Sequence, residues 1–108
     1  VMYEMPGQAR ASVEFLVRLH ARLLAKQGIT VNCVIPGLIK TEAWAGLFEK
    51  VPTLDEAMVD KMVEDSPAGR WGEVSEVGDV VAFLCSAAGQ FVTGVALPID
   101  GGLHLAGM

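Results

Sequence analysis

The sequence has 108 residues, so it can bury one modest hydrophobic core and forms one domain at most. It carries 8 Lys and Arg against 13 Asp and Glu, a net charge of -5, and the basic residues form no cluster; nucleic-acid and anionic-membrane binding are therefore excluded. Hydrophobic residues make up 52%, which excludes disorder and indicates surface intended for a partner or for further chain. No apolar run approaches the roughly 20 residues that span a bilayer, and the N-terminus lacks a signal pattern, so we expect a cytoplasmic protein.

The first predicted element is a long amphipathic helix from about Gly7 to Lys26. Its apolar residues, Val13 and Leu16 among them, recur at the spacing of one helix face. Pro6 suits the first turn of a helix, and Gly28 suits the left-handed position that ends one. We therefore expect a helix that packs on one side and stops before Gly28.

A buried strand is predicted next, in the segment ITVNCVIPG from Ile29 to Gly37. Its β-branched and apolar residues show little alternation, which is typical of a strand buried on both faces in a parallel sheet. The pair Pro36–Gly37 ends the strand. A helix, a tight turn and such a strand form half of a βαβ unit, so a preceding strand is expected N-terminal to Val1.

The middle of the chain predicts two short amphipathic helices. They occupy Leu38 to Lys50 and Leu54 to Asp65, and Val51–Pro52–Thr53 separates them. An insertion after the carboxyl end of a strand is where α/β folds place their binding loops.

One further helix and one strand are predicted in the last part of the chain. Ser75 is the expected N-cap of a helix from about Glu76 to Ala87, because a serine hydroxyl can accept from the first free N–H groups. A short strand follows at Val95 to Ile99, and Asp100–Gly101–Gly102 forms a turn. Pro98 has no N–H to donate, which favours a place at the edge of the sheet.

Three sequence blocks now carry a family resemblance: Gly28 to Thr41, Ser66 to Ser86 and Phe91 to Gly102. In order and spacing they resemble the C-terminal half of the short-chain dehydrogenases/reductases. The resemblance implies an α/β fold, the C-terminal portion of a doubly wound Rossmann-type parallel sheet, with NAD or NADP at the carboxyl ends of the strands. Residues 1–108 would form the C-terminal part of one dinucleotide-binding reductase domain, in a homodimer or homotetramer.

Motifs from the first half of that family are absent from the sequence. It contains no glycine-rich GxxxGxG phosphate loop, no Asn-Ala-Gly stretch and none of the family's upstream catalytic serine region. A pyrophosphate needs such glycine amides at a helix N-terminus. We therefore expect a fragment that lacks the nucleotide-binding half, holds a dinucleotide weakly and is inactive alone.

The family's catalytic pair falls at the start of the chain, in YEMPGQAR, and two registers are open. Most members place a Tyr and a Lys four residues apart on the long helix; counted back from Asn32, that register puts Pro6 and Arg10 at these positions. Pro6 cannot transfer a proton, so this register predicts an inactive member. Enoyl-acyl-carrier-protein reductases separate the two residues by seven positions, which matches Tyr3 and Arg10.

The second register implies a chemical role for each residue. Tyr3 would hydrogen-bond the substrate carbonyl and stabilise the enolate that hydride delivery leaves. Arg10 would keep a positive charge near the phenol and donate to the cofactor ribose, although its wide, permanently protonated fork is not equivalent to Lys. Halohydrin dehalogenases, a branch of the same fold, also use a Tyr and an Arg, but their Tyr position corresponds to Pro6. Without the resemblance, Tyr3 would be an ordinary surface residue and Arg10 a solvated helix charge.

The loop after the predicted strand is the cofactor-binding candidate. In the family, the backbone after the Pro-Gly turn binds the nicotinamide carboxamide, and a following Thr reaches the carboxamide or the phosphates. The resemblance therefore implies that Pro36, Gly37, Ile39 and Thr41 bind cofactor, with Gly37 permitting close approach. The alternative is an ordinary turn between a strand and a helix.

The remaining candidates carry weaker signals. Four large residues on the two short helices either cover the substrate or form core: Trp44, Leu47, Phe48 and Met58. The acidic residues show no ligand spacing with either histidine, so no metal site is expected. Cys33 and Cys85 lie in apolar runs, where free thiols pack as small hydrophobes.

Together these features predict an NAD(P)-dependent oxidoreductase that transfers a hydride to or from a carbonyl or enoyl thioester. Its substrate would be a small molecule or an acyl thioester. Two alternatives stay open: a catalytically inactive subunit of the same fold that serves assembly or binding, and a stand-alone interaction domain.

Overall fold

The structure, a computed structural model, describes residues 4–105, with side chains from residue 7 onward. The described helices and strands are α1 (Glu4–Leu24), β1 (Cys33–Pro36), α2 (Ala43–Lys50), α3 (Glu56–Glu64), α4 (Val74–Leu84) and β2 (Ala96–Ile99). Two compact units share them: the first unit is Val1–Val34 with Val80–Leu97, and the second unit is Ile35–Asp79 with Pro98–Met108. Within residues 4–105, no helix combines the length and the apolar character needed to cross a bilayer.

The predicted long helix is confirmed as α1. A short 3-10 turn, Ala25–Gln27, follows it, and Gly28 closes the turn in the left-handed conformation with a φ of 75°. Ala21 on this helix is only 4% exposed, but Val13 and Leu16, which belong to the predicted packed face, are 49% and 46% exposed. Among the described residues, the predicted apolar face of α1 is therefore only partly buried.

The two strands confirm a parallel sheet. The N–H of Cys33 donates to the carbonyl of Val95 at 2.8 Å, and the N–H of Gly37 donates to that of Ile99 at 3.0 Å. The offset between the bonded residues is the same at both positions, which only parallel strands produce.

The sequence prediction for β1 was wrong in length and in burial. The strand occupies Cys33–Pro36 instead of Ile29 to Gly37, and its residues are half-buried or exposed. It has a single neighbour, β2, in the described sheet, so one of its edges and part of its surface are uncovered.

A side chain replaces the regular strand pairing just before β1. The Nδ2 of Asn32 donates to the carbonyl of Val92 at 2.9 Å, and its Oδ1 accepts from the N–H of Val95 at 3.2 Å. The N–H of Val31 donates to the hydroxyl of Thr93 at 3.0 Å. Because side chains take up these backbone groups, the regular strand starts only at Cys33.

The first unit has a small core. Ala21 and Leu84 are its buried hydrophobic residues among those described. A Cβ placed on Gly94 would lie 3.3 Å from the Cβ of Ala21, so α1 approaches the loop before β2 closely.

The two short helices of the second unit are confirmed as α2 and α3. Asp55 caps α3, because its carboxylate accepts from the N–H of Ala57 at 3.0 Å. Val59 and Val63 lie one helical turn apart on α3 and are 3% and 4% exposed, so they form the core of this unit.

The prediction for α4 was wrong at both ends. The helix begins at Val74, so Ser75 lies inside it, and it ends at Leu84 before a separate 3-10 turn at Ala87–Gly89. Glu76 takes over the stabilising role at the start, since its carboxylate accepts from the N–H of Glu73 at 2.8 Å. The last strand is confirmed as β2, and so is the turn after it, where Gly101 and Gly102 have φ values of 60° and 85°.

Candidate functional site

The loop that follows β1 passes very close to the turn that follows β2. A Cβ placed on Gly37 would lie 2.5 Å from the Cβ of Asp100 and 2.7 Å from its Cα. The strand pairing through the N–H of Gly37 and the carbonyl of Ile99 holds this approach in place. Gly37 is therefore required by the packing of the chain itself.

A parallel bridge between Ile39 and Gly72 fixes the next part of the loop. Two hydrogen bonds form the bridge. The N–H of Lys40 donates to the carbonyl of Gly72 at 2.8 Å, and the N–H of Gly72 donates to the carbonyl of Leu38 at 3.0 Å. The N–H and C=O of Ile39 itself point to the opposite side in such a bridge. That carbonyl accepts from the indole Nε1 of Trp44 at 2.9 Å, whereas no group among the described residues accepts from the Ile39 N–H.

The turn after β2 is built around the Asp100 carboxylate. It accepts from the N–H of Gly102 at 3.0 Å, from the N–H of His104 at 2.9 Å and from the ring Nδ1 of His104 at 2.9 Å. Burial alone would raise the pKa of Asp100, but the hydrogen bonds from His104 and Gly102 outweigh burial and lower that pKa. Asp100 is thus an ionised structural anchor beside Gly37.

An ion pair holds the loop before α4. The guanidinium of Arg70 donates to both carboxylate oxygens of Glu76, at 2.9 and 2.6 Å, and Nη1 also donates to the carbonyl of Trp71 at 3.0 Å. The hydrogen bond from Arg70, followed by the one from the backbone of Glu73, lowers the pKa of Glu76 to about 2. The same contact raises the pKa of Arg70. Together these contacts position Trp71.

A cavity of about 110 Å³ lies beside the ion pair of Arg70 and Glu76. Its lining also includes Ile39, Val63 and Asp100.

Three aromatic side chains of the second unit form the wall of an open cleft. The rings of Trp44 and Phe48, one helical turn apart on α2, have centroids 5.7 Å apart. The ring of Trp71 meets that of Trp44 edge-on, with centroids 5.4 Å apart and an interplanar angle of 72°. The cleft has a volume of about 730 Å³, and its polar lining residues are Lys40, Thr41, Glu49, Glu56 and Asp60. We call it the aromatic cleft.

The structure collects four of the predicted site residues at the end of β1 and in the loop that follows it, within the second unit. Pro36, Gly37, Ile39 and Thr41 follow one another there, with Thr41 exposed at the aromatic cleft. Arg10 is exposed on α1 in the first unit. Tyr3 lies outside the described residues, so the pairing with Arg10 stays a prediction.

The sequence analysis left open whether the four large residues on the short helices cover the substrate or form core. Trp44 and Phe48 line the aromatic cleft, whereas Leu47 and Met58 do not line it and are 41% and 55% exposed. The sequence analysis missed the contribution of Trp71 and Asp60 to this cleft. The indole Nε1 of Trp71 donates a hydrogen bond to the carboxylate Oδ1 of Asp60 at 3.1 Å. The second tryptophan of the sequence, in GRWGE, was the available signal, but nothing local predicts its contact with α2.

The cysteines and the acidic residues show no further site in the part of the chain described. Both thiols are free; Cys33 is half-buried and Cys85 is exposed, contrary to its expected packing. No three His, Cys, Asp or Glu side chains within residues 4–105 gather as metal ligands would.

Comparison with known proteins identifies the family. The family model described as Enoyl-(Acyl carrier protein) reductase matches residues 1–104. An NADPH-dependent aldehyde reductase-like chloroplastic protein of Arabidopsis thaliana is 41% identical over 95 residues, which are 87% of this chain and 33% of that protein. A 3-oxoacyl-[acyl-carrier-protein] reductase of Staphylococcus epidermidis is 35% identical over 105 residues, 93% of this chain and 40% of the relative.

Solved structures agree with that assignment. A short-chain type dehydrogenase/reductase from Mycobacterium ulcerans superimposes with a TM-score of 0.77 at 35% identity, over 92% of this chain and 34% of that one. The α/β fold with its parallel sheet is thus of the Rossmann type found in these reductases. The chain belongs to the short-chain dehydrogenase/reductase family, and it spans between 33% and 40% of the length of the two relatives above.

Proposed function

We propose that the natural polypeptide carrying this chain is an NAD(P)-dependent oxidoreductase that transfers a hydride to or from a carbonyl or an enoyl thioester. The observation that carries the proposal is the segment from Pro36 to Thr41, in which the Ile39–Gly72 bridge turns the Ile39 N–H away from Gly72 and Thr41 lines the aromatic cleft. Membership in a family of oxidoreductases supports it, and one relative is named NADPH-dependent.

The loop fits the nicotinamide end of a dinucleotide. A carboxamide needs a backbone donor and a hydroxyl at fixed positions, and the Ile39–Gly72 bridge together with the Trp44 indole bond holds the loop that supplies them. Ile39 and Thr41 would bind that end, and Pro36 and Gly37 would set the path of the loop. The nicotinamide, when bound, supplies the hydride or accepts it.

We assign the catalytic roles of the proposed reaction to Tyr3 and Arg10. Tyr3 would hold and donate the proton at the substrate carbonyl oxygen, and Arg10, exposed on α1, would supply a fixed positive charge and donors for ribose hydroxyls. The separation of these residues by seven sequence positions matches the pattern of the enoyl reductases, and the description of the matching family model is consistent with it. The proposed enzyme would act as a homodimer or homotetramer on a small-molecule or acyl-thioester substrate.

A cofactor-binding measurement on the natural full-length polypeptide tests the proposal. NADPH and NADH are titrated by calorimetry, and oxidation of each is followed with a panel of ketones, aldehydes and enoyl thioesters. Thr41→Val should weaken cofactor binding by about five- to tenfold, the value of one lost hydrogen bond, while Thr41→Ser should bind as the parent does.

The same measurement separates the enzyme from the inactive alternative. An inactive subunit with Pro6 in the proton donor's place would oxidise neither NADPH nor NADH with any substrate of the panel, whether or not it binds a nucleotide. Lack of binding of both nucleotides to a folded full-length protein would overturn the proposed function.

A further inference from the structure

We propose that the aromatic cleft binds an organic cation, a protonated amine or quaternary ammonium group on a small apolar body. The cleft belongs entirely to the second unit and is formed by α2, α3 and the loop that carries Trp71. The statement that such a cation is the substrate rests on the proposed function. The statement that the cleft binds it does not depend on the proposed function.

The geometry of the rings suits a cation. Trp44 and Trp71 stand at 72° to each other, and Phe48 lies beside Trp44 at 33°, so the rings present faces in more than one direction around the cleft. A cation within about 6 Å of such faces is attracted by the ring quadrupole, and tryptophan provides the strongest attraction. The three rings are half-buried, which leaves part of each surface open to a ligand.

The hydrogen bonds of the indoles strengthen that preference. The Nε1 of Trp44 donates to the carbonyl of Ile39 at 2.9 Å, and the Nε1 of Trp71 donates to Asp60 at 3.1 Å. Both indole N–H groups are therefore occupied, so the cleft offers ring surface to a ligand and no indole donor to an anion. Donation to a carboxylate also makes the Trp71 ring more electron-rich, which increases its attraction for a cation.

The charges around the cleft act in the same direction. One base, Lys40, stands against three acids, Glu49, Glu56 and Asp60. Within residues 4–105, none of these three acids forms an ion pair with a Lys or Arg side chain. A cationic ligand would gain from this negative field, whereas a carboxylate ligand would be repelled.

Binding of three matched probes tests the inference on the natural polypeptide without cofactor or turnover. The probes are choline, its uncharged carbon isostere dimethylbutanol, and the anionic isostere dimethylbutanoate. Calorimetry should give choline a dissociation constant about tenfold lower than that of dimethylbutanol, with no binding of dimethylbutanoate. Raising the salt concentration should weaken choline binding and leave dimethylbutanol unchanged.

Two substitutions locate the binding. Trp71→Leu removes one wall and should abolish the preference for choline over its isostere. Asp60→Asn keeps an acceptor for the Trp71 indole but removes the charge, and should weaken choline binding about three- to tenfold with a normal fold. The matched control is Glu64→Gln on the same helix, outside the cleft, which should not change binding. The sequence contains 2 tryptophans, and both line the cleft. The difference in tryptophan fluorescence between the parent and Trp71→Phe therefore gives a second, local signal of ligand binding.

Each other outcome overturns the inference or the proposed function separately. Equal binding of choline and dimethylbutanol, tighter binding of dimethylbutanoate, or unchanged choline binding in Asp60→Asn would each exclude a cation site. If the protein oxidises NADPH but does not bind choline, the inference about the cleft is wrong and the proposed function stands. If the protein binds choline but neither nucleotide, the proposed function is wrong and the inference about the cleft stands.

Discussion

Gly37 and Asp100 approach so closely that a Cβ on Gly37 would lie 2.5 Å from the Cβ of Asp100. Real Cβ atoms do not approach other carbon atoms at such a distance, so no other residue fits without moving the backbone. Asp100 is itself held by hydrogen bonds from Gly102 and His104, so it cannot easily give way. The glycine is therefore a requirement of the fold, independent of any cofactor.

Gly37→Ala should lower the free energy of unfolding by about 1–3 kcal/mol, the usual cost of overpacking. The matched control is Gly46→Ala in α2, where a Cβ would meet nothing within 4 Å and alanine should add about 0.5–1 kcal/mol through helix propensity. Urea denaturation of the natural polypeptide measures both. Equal stability of the two variants would contradict the close approach.

Asn32→Asp should destabilise the protein by about 1–3 kcal/mol, because it keeps the acceptor for Val95 but replaces the donor to Val92 with an oxygen. The carboxylate would then face the carbonyl of Val92. Ser12→Ala is the control; the Ser12 hydroxyl donates to the carbonyl of Gln8 on an exposed part of α1, and its loss should cost less than about 0.5 kcal/mol. Thermal denaturation followed by circular dichroism should separate the two variants, and overlapping curves would argue against the Asn32 bridge.

Glu76 should make stability depend on pH in the acidic range. Its pKa in the folded protein is about 2, below the ordinary value of 4.5, so it contributes stability that is present above 4.5 and lost as the pH falls toward 2. Glu76→Gln removes this contribution, so the variant should be less stable than the parent at neutral pH and approach the parent's stability at low pH. Unfolding by urea at several pH values measures the difference, with Glu64→Gln as the control. A constant difference at all pH values would show that the pKa of Glu76 is not lowered.

Tyr3→Phe should reduce turnover by the proposed full-length enzyme by at least about a hundredfold while nucleotide binding is retained, because the ring persists and only the proton donor is lost. Steady-state oxidation of the preferred nucleotide measures the change. An unchanged rate would mean that Tyr3 is not the acid.

Arg10→Lys tests the second member of that pair. Lysine keeps the positive charge and single-point donation to the ribose, so activity should stay within about tenfold of the parent, whereas Arg10→Met should bind nucleotide more weakly and turn over more slowly. The same rate assay with a nucleotide titration checks both. Full activity of Arg10→Met would exclude a role for this residue in the site.

Much of the fold was predictable because its signals are local. The helical spacing of apolar residues predicted α1, α2 and α3, and Gly28 closes the 3-10 turn after α1 with a positive φ. Pro36–Gly37 marked the end of β1, and the Asp100 turn marked the end of β2. These features depend on residues a few positions apart, which a sequence displays directly.

The boundaries that failed depended on which side chain bonds to the free backbone groups. β1 starts late because the Asn32 side chain bonds to backbone groups near Val92, which composition could not indicate. The predicted cap at Ser75 gave way to Glu76, whose carboxylate is shared between Arg70 and the N–H of Glu73.

The sequence by itself determined the family, the order of the elements and the loop from Pro36 to Thr41, since each is a contiguous pattern of residue types. Only the tertiary structure decided that Gly37 serves the approach to Asp100 and that Trp71 meets Trp44 at the cleft. Both contacts join segments widely separated along the chain, and their energies depend on distances of a few ångströms that are set only when the second unit folds.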